Sequence, residues 1–146
     1  AGSSVLRSTR PLPLRMRAHA EGAQAVAEYL QTHPKVREVH YPGLRSHADH
    51  VLARHLLSNM GGMIAFAVES DAAALKLLNS LHLMRQATSL GGVETLVSLP
   101  FNTSHAAYTA DQRIRLGIAP GCIRLSVGIE DPRDLIADLA QGLACL

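Results

Sequence analysis

The stretch that most limits the possible fold is Met63-Ile64-Ala65-Phe66-Ala67-Val68. It is apolar throughout, shorter than a typical helix, and enclosed by Gly61-Gly62 on one side and Glu69-Ser70-Asp71 on the other. A short apolar run between turn residues reads as a buried strand, because strands fill this length range and helices usually need more. A strand of that kind has to be enclosed in a layered domain.

The flanking sequence supplies the layers. A helix is expected after Pro13, since Met16, Ala20, Ala23, Ala27 and Leu30 recur on one face. His33-Pro34 ends it, because the residue before proline avoids the helical region. Residues 36–41 alternate and read as a short strand closed by Pro42-Gly43. Ser46 with Asp49 three residues on is a weak capping box, and Ala48, Val51, Leu52 and Leu56 give the helix behind it an apolar stripe. Ser70 or Asp71 caps a third helix carrying Ala74, Leu75 and Leu78, and residues 81–84 read as a further short strand.

Residues 95–99 form the next expected strand. Thr109 with Gln112 is a capping box and Gly117 a C-terminal stop, so a short helix is expected over 110–116. Residues 122–127 read as the last strand, and Asp131-Pro132 opens a final helix lined by Leu135, Ile136, Leu139 and Leu143. Several strands follow one another through connections too short for parallel crossovers. The expected class is therefore α+β, a mainly antiparallel sheet with helices packed on one face. No linker or repeat divides it.

Composition narrows the function. At 146 residues, 47% hydrophobic and 18% charged, the chain is expected to fold as one domain with a real core. A net charge of +2 argues against a nucleic-acid partner, and no apolar run approaches the roughly 20 residues that span a bilayer. Two cysteines, Cys122 and Cys145, make no disulfide framework. They could pair, but two free thiols in a reducing cytoplasm is the favoured reading, and the expected location is cytoplasmic.

Two stretches carry chemistry. In Ser89-Leu90-Gly91-Gly92-Val93-Glu94-Thr95 the glycines permit a tight turn and close approach to a ligand, and Glu94 and Thr95 stand where the loop enters a strand. In Cys122-Ile123-Arg124-Leu125-Ser126-Val127-Gly128 a guanidinium sits on an apolar strand. Two readings of Arg124 remain open on pattern alone: an exposed strand arginine sharing a face with Ser126, or a clamp whose planar fork takes both oxygens of a carboxylate. His47, His50 and His55 cluster on the second helix, but His55 points away from the other two and no further ligand completes a metal set. A solvated helix face explains them, and no metal site is expected. Neither cysteine has the context of a nucleophile.

The two stretches together, Ser89 to Leu96 and Ile123-Arg124-Leu125-Ser126-Val127-Gly128-Ile129-Glu130-Asp131, resemble the C-terminal part of the transsulfuration family of pyridoxal-phosphate enzymes. Leu12-Pro13-Leu14-Arg15-Met16, Val39-His40-Tyr41-Pro42-Gly43-Leu44 and Gly61-Gly62-Met63 agree in the same order. The resemblance implies the small C-terminal domain of a fold-type-I enzyme of γ-type, such as cystathionine γ-synthase, cystathionine γ-lyase or methionine γ-lyase. It implies that Arg124 binds the substrate α-carboxylate, that the backbone N–H of Thr95 helps it, that Glu94 lies near the distal end of the substrate, and that Ser89, Leu90, Gly91 and Gly92 frame the site.

The departures from the family pattern weigh as much. Lys35 and Lys76 are the only lysines, and neither lies in the Ser-x-Thr-Lys context through which the family holds its cofactor. The expectation is a C-terminal domain, residues 13–146, preceded by a remnant of an inter-domain segment, residues 1–12, with the cofactor domain absent. Pyridoxal 5'-phosphate is expected in the full-length enzyme and no cofactor on this chain alone, which should be inactive. Expected partners are an amino-acid substrate and the missing N-terminal cofactor domain or a full-length relative. Apolar surface left by that missing part should favour homo-oligomers. The alternative is a non-catalytic binding or assembly domain of the same descent.

Overall fold

Five strands and the helices around them make up the computed structural model, which describes residues 5, 7 and 9–146. The 1–12 segment therefore falls partly outside the described residues. In chain order the elements are α1 (Leu12–Thr32), β1 (Glu38–His40), α2 (His50–Leu56), β2 (Met63–Ala67), α3 (Asp71–Ser80), β3 (Arg85–Gln86), β4 (Leu96–Ser98), a 3-10 turn (Pro100–Asn102), α4 (Ala110–Arg115), β5 (Cys122–Ser126) and α5 (Pro132–Ala144). The sheet runs β1-β2-β5-β4-β3, antiparallel throughout except for the β3–β4 edge pair. The expected α+β class, mainly antiparallel with helices on one face, is the one found.

Alternation along the strands decides which face is covered. Val39, Phe66 and Ile123 stand in one cross-strand row and Ile64, Leu125 and Val97 in the adjoining ones. Apart from the partly buried Val39, these side chains are buried, packed with Ala23, Val26, Ala27 and Leu30 of α1, Leu77 of α3, and Leu135, Leu139 and Leu143 of α5. Burial of this kind contributes roughly 25 cal/mol per Å² of apolar surface, which makes this layer the main source of stability. The opposite face carries Ala65, Arg124 and Ser98 in a single row. The central strand thus presents its arginine away from the core.

Caps follow the expected chemistry at three helices. Ser70, rather than Asp71, caps α3, its Oγ accepting from Ala73 N at 3.1 Å, while Asp71 turns aside to accept from Gly121 N at 2.7 Å. Thr109 and Gln112 close the capping box of α4. Asp131 accepts from Arg133 N at the start of α5, and the Arg133 side chain and backbone hold its carboxyl down at about 2.

Three local expectations are corrected. Ser46 does not cap α2; it accepts from Gln31 Nε2 at 2.7 Å, and the helix begins later with its stripe turned outward, Val51 69%, Leu52 55% and Leu56 73% exposed. Residues 81–84 are not a strand, because the Asp138 carboxylate takes the N–H groups of His82, Leu83 and Met84 at 2.8, 3.0 and 3.0 Å. Those donors are then unavailable for a ladder, and the edge strand starts at Arg85 instead. Tyr41 was expected to end a strand and is instead a fully buried post, donating to Gly61 O at 2.9 Å and Ala20 O at 3.3 Å; burial pushes its phenol up to about 12.

Candidate functional site

Arg124 occupies the middle of β5, paired with Ala65 of β2 and Ser98 of β4. Small neighbours on both sides leave room for a long side chain to lie over the sheet. Its Nη2 donates to Thr88 O at 2.6 Å and Ser89 O at 3.1 Å, so the start of the glycine loop fixes the orientation of the guanidinium. Nε is enclosed without a hydrogen-bond partner, and Nη1 makes none among the described residues. A guanidinium held on one edge and left with N–H groups to offer suits an anionic ligand better than it suits a purely structural arginine.

The loop over residues 88–94 lies between β3 and β4 and has no regular structure. Leu90 is 57% exposed, so apolar burial does little to hold it. Polar ties do so instead, and besides the two bonds from Arg124 itself they run to the segment that follows it. Gly91, at φ 74°, donates to Ser126 Oγ at 3.1 Å, and Val93 O accepts from Ile129 N at 2.9 Å. Thr95 donates from its N–H to Glu130 Oε1 at 2.6 Å and from its hydroxyl to Glu130 Oε2 at 2.7 Å, while its Oγ1 accepts from Gly128 N at 2.8 Å. A Cβ on Gly128 would run into Val93 O and Glu130 Oε2, so only glycine allows the loop backbone to come this close.

A second anchor comes from α1. His19 is 2% exposed and its Nδ1 donates to Val127 O at 2.7 Å, with Gly128 O at 3.1 Å. The turn after β5 is therefore gripped by the loop on one side and by α1 on the other.

The expected site residues separate in this geometry. Thr88 and Ser89 lie on Arg124, through their carbonyl oxygens. Thr95 is buried and, in this structure, gives both its donors to Glu130. Glu94 is exposed, makes no hydrogen bond or ion pair among the described residues, and folds back over Gly92. Leu90 and Gly91 form the exposed crest of the loop, with Gly92 partly buried beside them. Sequence reasoning gave no role to Thr88, Ser126, Glu130 or His19. The only signal for Glu130 was its place in the same run as Arg124, and a backbone carbonyl such as that of Thr88 leaves no trace in residue type.

Other candidate chemistries find no support. His50 Nδ1 lies 2.7 Å from Pro42 O and His47 Nδ1 accepts from Asp49 N at 3.1 Å. Among the described residues no three histidine, cysteine or acidic side chains are grouped to hold a metal. Both cysteines are free, and burial, reinforced by the Glu38 and Asp71 carboxylates, pushes the Cys122 thiol up and away from the reactive thiolate. Among the described residues no helix is long and apolar enough to cross a membrane.

Comparison with known proteins agrees with this architecture. The structure superposes on cystathionine gamma synthase from Xanthomonas oryzae pv. oryzae, solved with aminoacrylate and cysteine, with a TM-score of 0.89 and 43% identity, covering 95% of this chain and 36% of that one. L-methionine gamma-lyase of Fusobacterium nucleatum subsp. polymorphum is 42% identical over 140 residues, 95% of this chain and 35% of the relative. Cystathionine gamma-lyase of Dictyostelium discoideum is 44% identical over 140 residues, again 95% of this chain and 36% of the relative. The fold is thus that of an α+β domain from a fold-type-I pyridoxal-phosphate enzyme. The family described as Cys/Met metabolism PLP-dependent enzyme matches over residues 3–144, and the chain belongs to it. It spans about 35% of the length of the relatives it matches.

The family depends on pyridoxal phosphate, yet the residues present do not fit that group. Lys35 donates from Nζ to Leu143 O at 3.1 Å, at the end of α5. Lys76 is exposed on α3, in a surface depression with Leu75, Asn79 and Cys145. Among the described residues neither amine bonds to the loop or to Arg124.

Proposed function

We propose that residues 13–146 are the C-terminal, substrate-carboxylate-binding domain of a γ-type transsulfuration enzyme that acts on cystathionine, methionine or an O-acyl-homoserine by γ-elimination or γ-replacement. Residues 1–12 are the remnant of an inter-domain segment. Pyridoxal phosphate and its lysine belong to polypeptide outside this sequence, or to a full-length relative, and the chain alone is inactive. Arg124 receives the α-carboxylate through its free N–H groups. Glu94, exposed at the loop exit, faces the distal end of the substrate. Ser89, Leu90, Gly91 and Gly92 frame the pocket, and Thr95 serves it through the loop.

The observation that carries this reading is Arg124 itself, oriented on one edge by two carbonyl oxygens and left without an acidic partner among the described residues. Its Nε, enclosed without a partner, leaves a donor for an anionic ligand to satisfy. Titration calorimetry of the chain with L-methionine tests it. Weak binding that falls roughly tenfold or more in Arg124→Ala is the expected result, from the loss of charge-assisted bonds. Equal binding by the variant would overturn the assignment. Incubation with pyridoxal phosphate and borohydride should leave Lys35 and Lys76 unlabelled; specific labelling of either would overturn the cofactor assignment.

A non-catalytic assembly role is the second reading, and it draws on apolar surface. A groove of about 890 Å³ runs along α1, lined by Leu12, Met16 and Ala20 on that helix and by Tyr41 and Met60 beside it. Binding of the chain to a full-length relative, undiminished in Arg124→Ala, would favour that reading.

A further inference from the structure

We infer that Glu130 is a positioning residue for the carboxylate site, acting on Arg124 through Thr95 and the glycine loop; the inference rests on the reading of Arg124 given above. Apart from Arg124 itself, Glu130 is the only charged side chain among the ties that hold the loop within the described residues, and both of its oxygens go to Thr95. Among the described residues it has no basic partner, so its charge is not explained by an ion pair. A carboxylate accepting a backbone N–H and a hydroxyl from the same residue fixes that residue in both position and rotation. Thr95 in turn passes the constraint on, since its Oγ1 accepts from Gly128 N.

The route to Arg124 is short and closed. Thr95 ends the loop whose first residues, Thr88 and Ser89, hold Nη2. Glu130 and Gly128 belong to the turn that leaves β5 just after Arg124, and His19 fixes the same turn from α1. Loop and guanidinium are therefore referred to one frame, and Glu130 closes the circuit. Because the loop buries little apolar surface, its position depends on a small set of directed bonds, and the pair to Glu130 is the charge-assisted one at its exit. Preorganised donors bind an anion better than donors that must first be ordered, which gives the link its consequence for binding.

Nitrogen-15 NMR of the full chain separates this from a local structural role. Wild type, Glu130→Gln, Glu130→Ala, Thr95→Val and Thr95→Ser are compared by the Arg124 Nε–H resonance, by amide exchange at Thr95, Gly128 and Ile123, and by titration with L-methionine. In Glu130→Ala and Thr95→Val, exchange at Thr95 and Gly128 should speed roughly tenfold or more, with Ile123 unchanged, and the Arg124 Nε–H signal should move. Thr95→Ser keeps the hydroxyl and should resemble wild type. Glu130→Gln keeps the shape and one acceptor, fixes the sign of the effect if the alanine variant fails to fold, and should show the same changes in smaller degree. An unmoved Arg124 Nε–H in variants whose loop amides exchange faster overturns the inference, as does unchanged exchange. Failure of wild type to bind methionine removes the carboxylate reading, while the Nε–H and exchange results still decide whether Glu130 governs Arg124.

Discussion

The helix-facing layer and the loop over Arg124 are held by opposite means. Beneath the sheet, Phe66, Ile123, Leu125 and Leu139 are almost wholly buried and interlock with three helices, so position follows from packing. Above it, the loop exposes Leu90 and Val93, and position follows from a few directed bonds to Ser126, Gly128, Ile129 and Glu130. Packing is robust because many contacts share the load. Directed bonds are few, and each one matters for geometry more than for stability. A site that must meet a ligand is built from the second kind of structure on top of the first.

The largest effect should come from breaking the packed side. Phe66→Ala removes a fully buried ring and should destabilise the chain by about 3–5 kcal/mol, read from urea denaturation with circular dichroism. A loss under about 1 kcal/mol would mean that the layer is looser than its burial implies. Gly128→Ala attacks the boundary between the two regions. The new methyl meets Val93 O and Glu130 Oε2, and a loss of about 1–3 kcal/mol is expected, with the loop resonances shifted and the core ones little changed.

Asp138→Ala probes a directed anchor that lies inside the packed region. It leaves the N–H groups of His82, Leu83 and Met84 without their acceptor and should cost about 1–3 kcal/mol. Burial pushes the Asp138 carboxyl up, but those three N–H groups and Gln141 outweigh it and hold it below the ordinary carboxylate range. Its stabilisation is therefore present above the unfolded value near 4 and is lost as pH falls through the lowered folded value. Denaturation at pH 7 and pH 3 should show the wild type losing more stability than Asp138→Ala; parallel losses would contradict the assignment. The smallest effect is expected at the crest, where Leu90→Ser should change stability by no more than about 0.5 kcal/mol.

What the sequence made legible follows the same division. The buried strand over residues 63–67, the capping box of α4 and the Asp131-Pro132 start of α5 were readable because local pattern and local chemistry fix them. The strand expected at 81–84 was unreadable, since its alternative depends on Asp138, more than fifty positions away along the chain. The outward stripe of α2 was misread because amphipathic spacing reports that a face is apolar and does not say what covers it. At the site, Arg124 and the loop around Gly91 stood out by residue type. The partner of Thr95 did not, because the acceptor, Glu130, is brought to it by the turn after β5, which only the folded chain defines.

Arg124 lies on the middle strand of the sheet, flanked by β2 and β4, whereas the loop that orients it is an exposed connection at the margin. This separates heredity of the anchor from variation of its surroundings. Substitutions at residues 90–94 can reshape the rim without touching the backbone ladder that carries the guanidinium, so a lineage can try new side chains there while the anchor beneath stays fixed. A loop fastened by few bonds is, on that view, what allows one domain to be reused across several related chemistries.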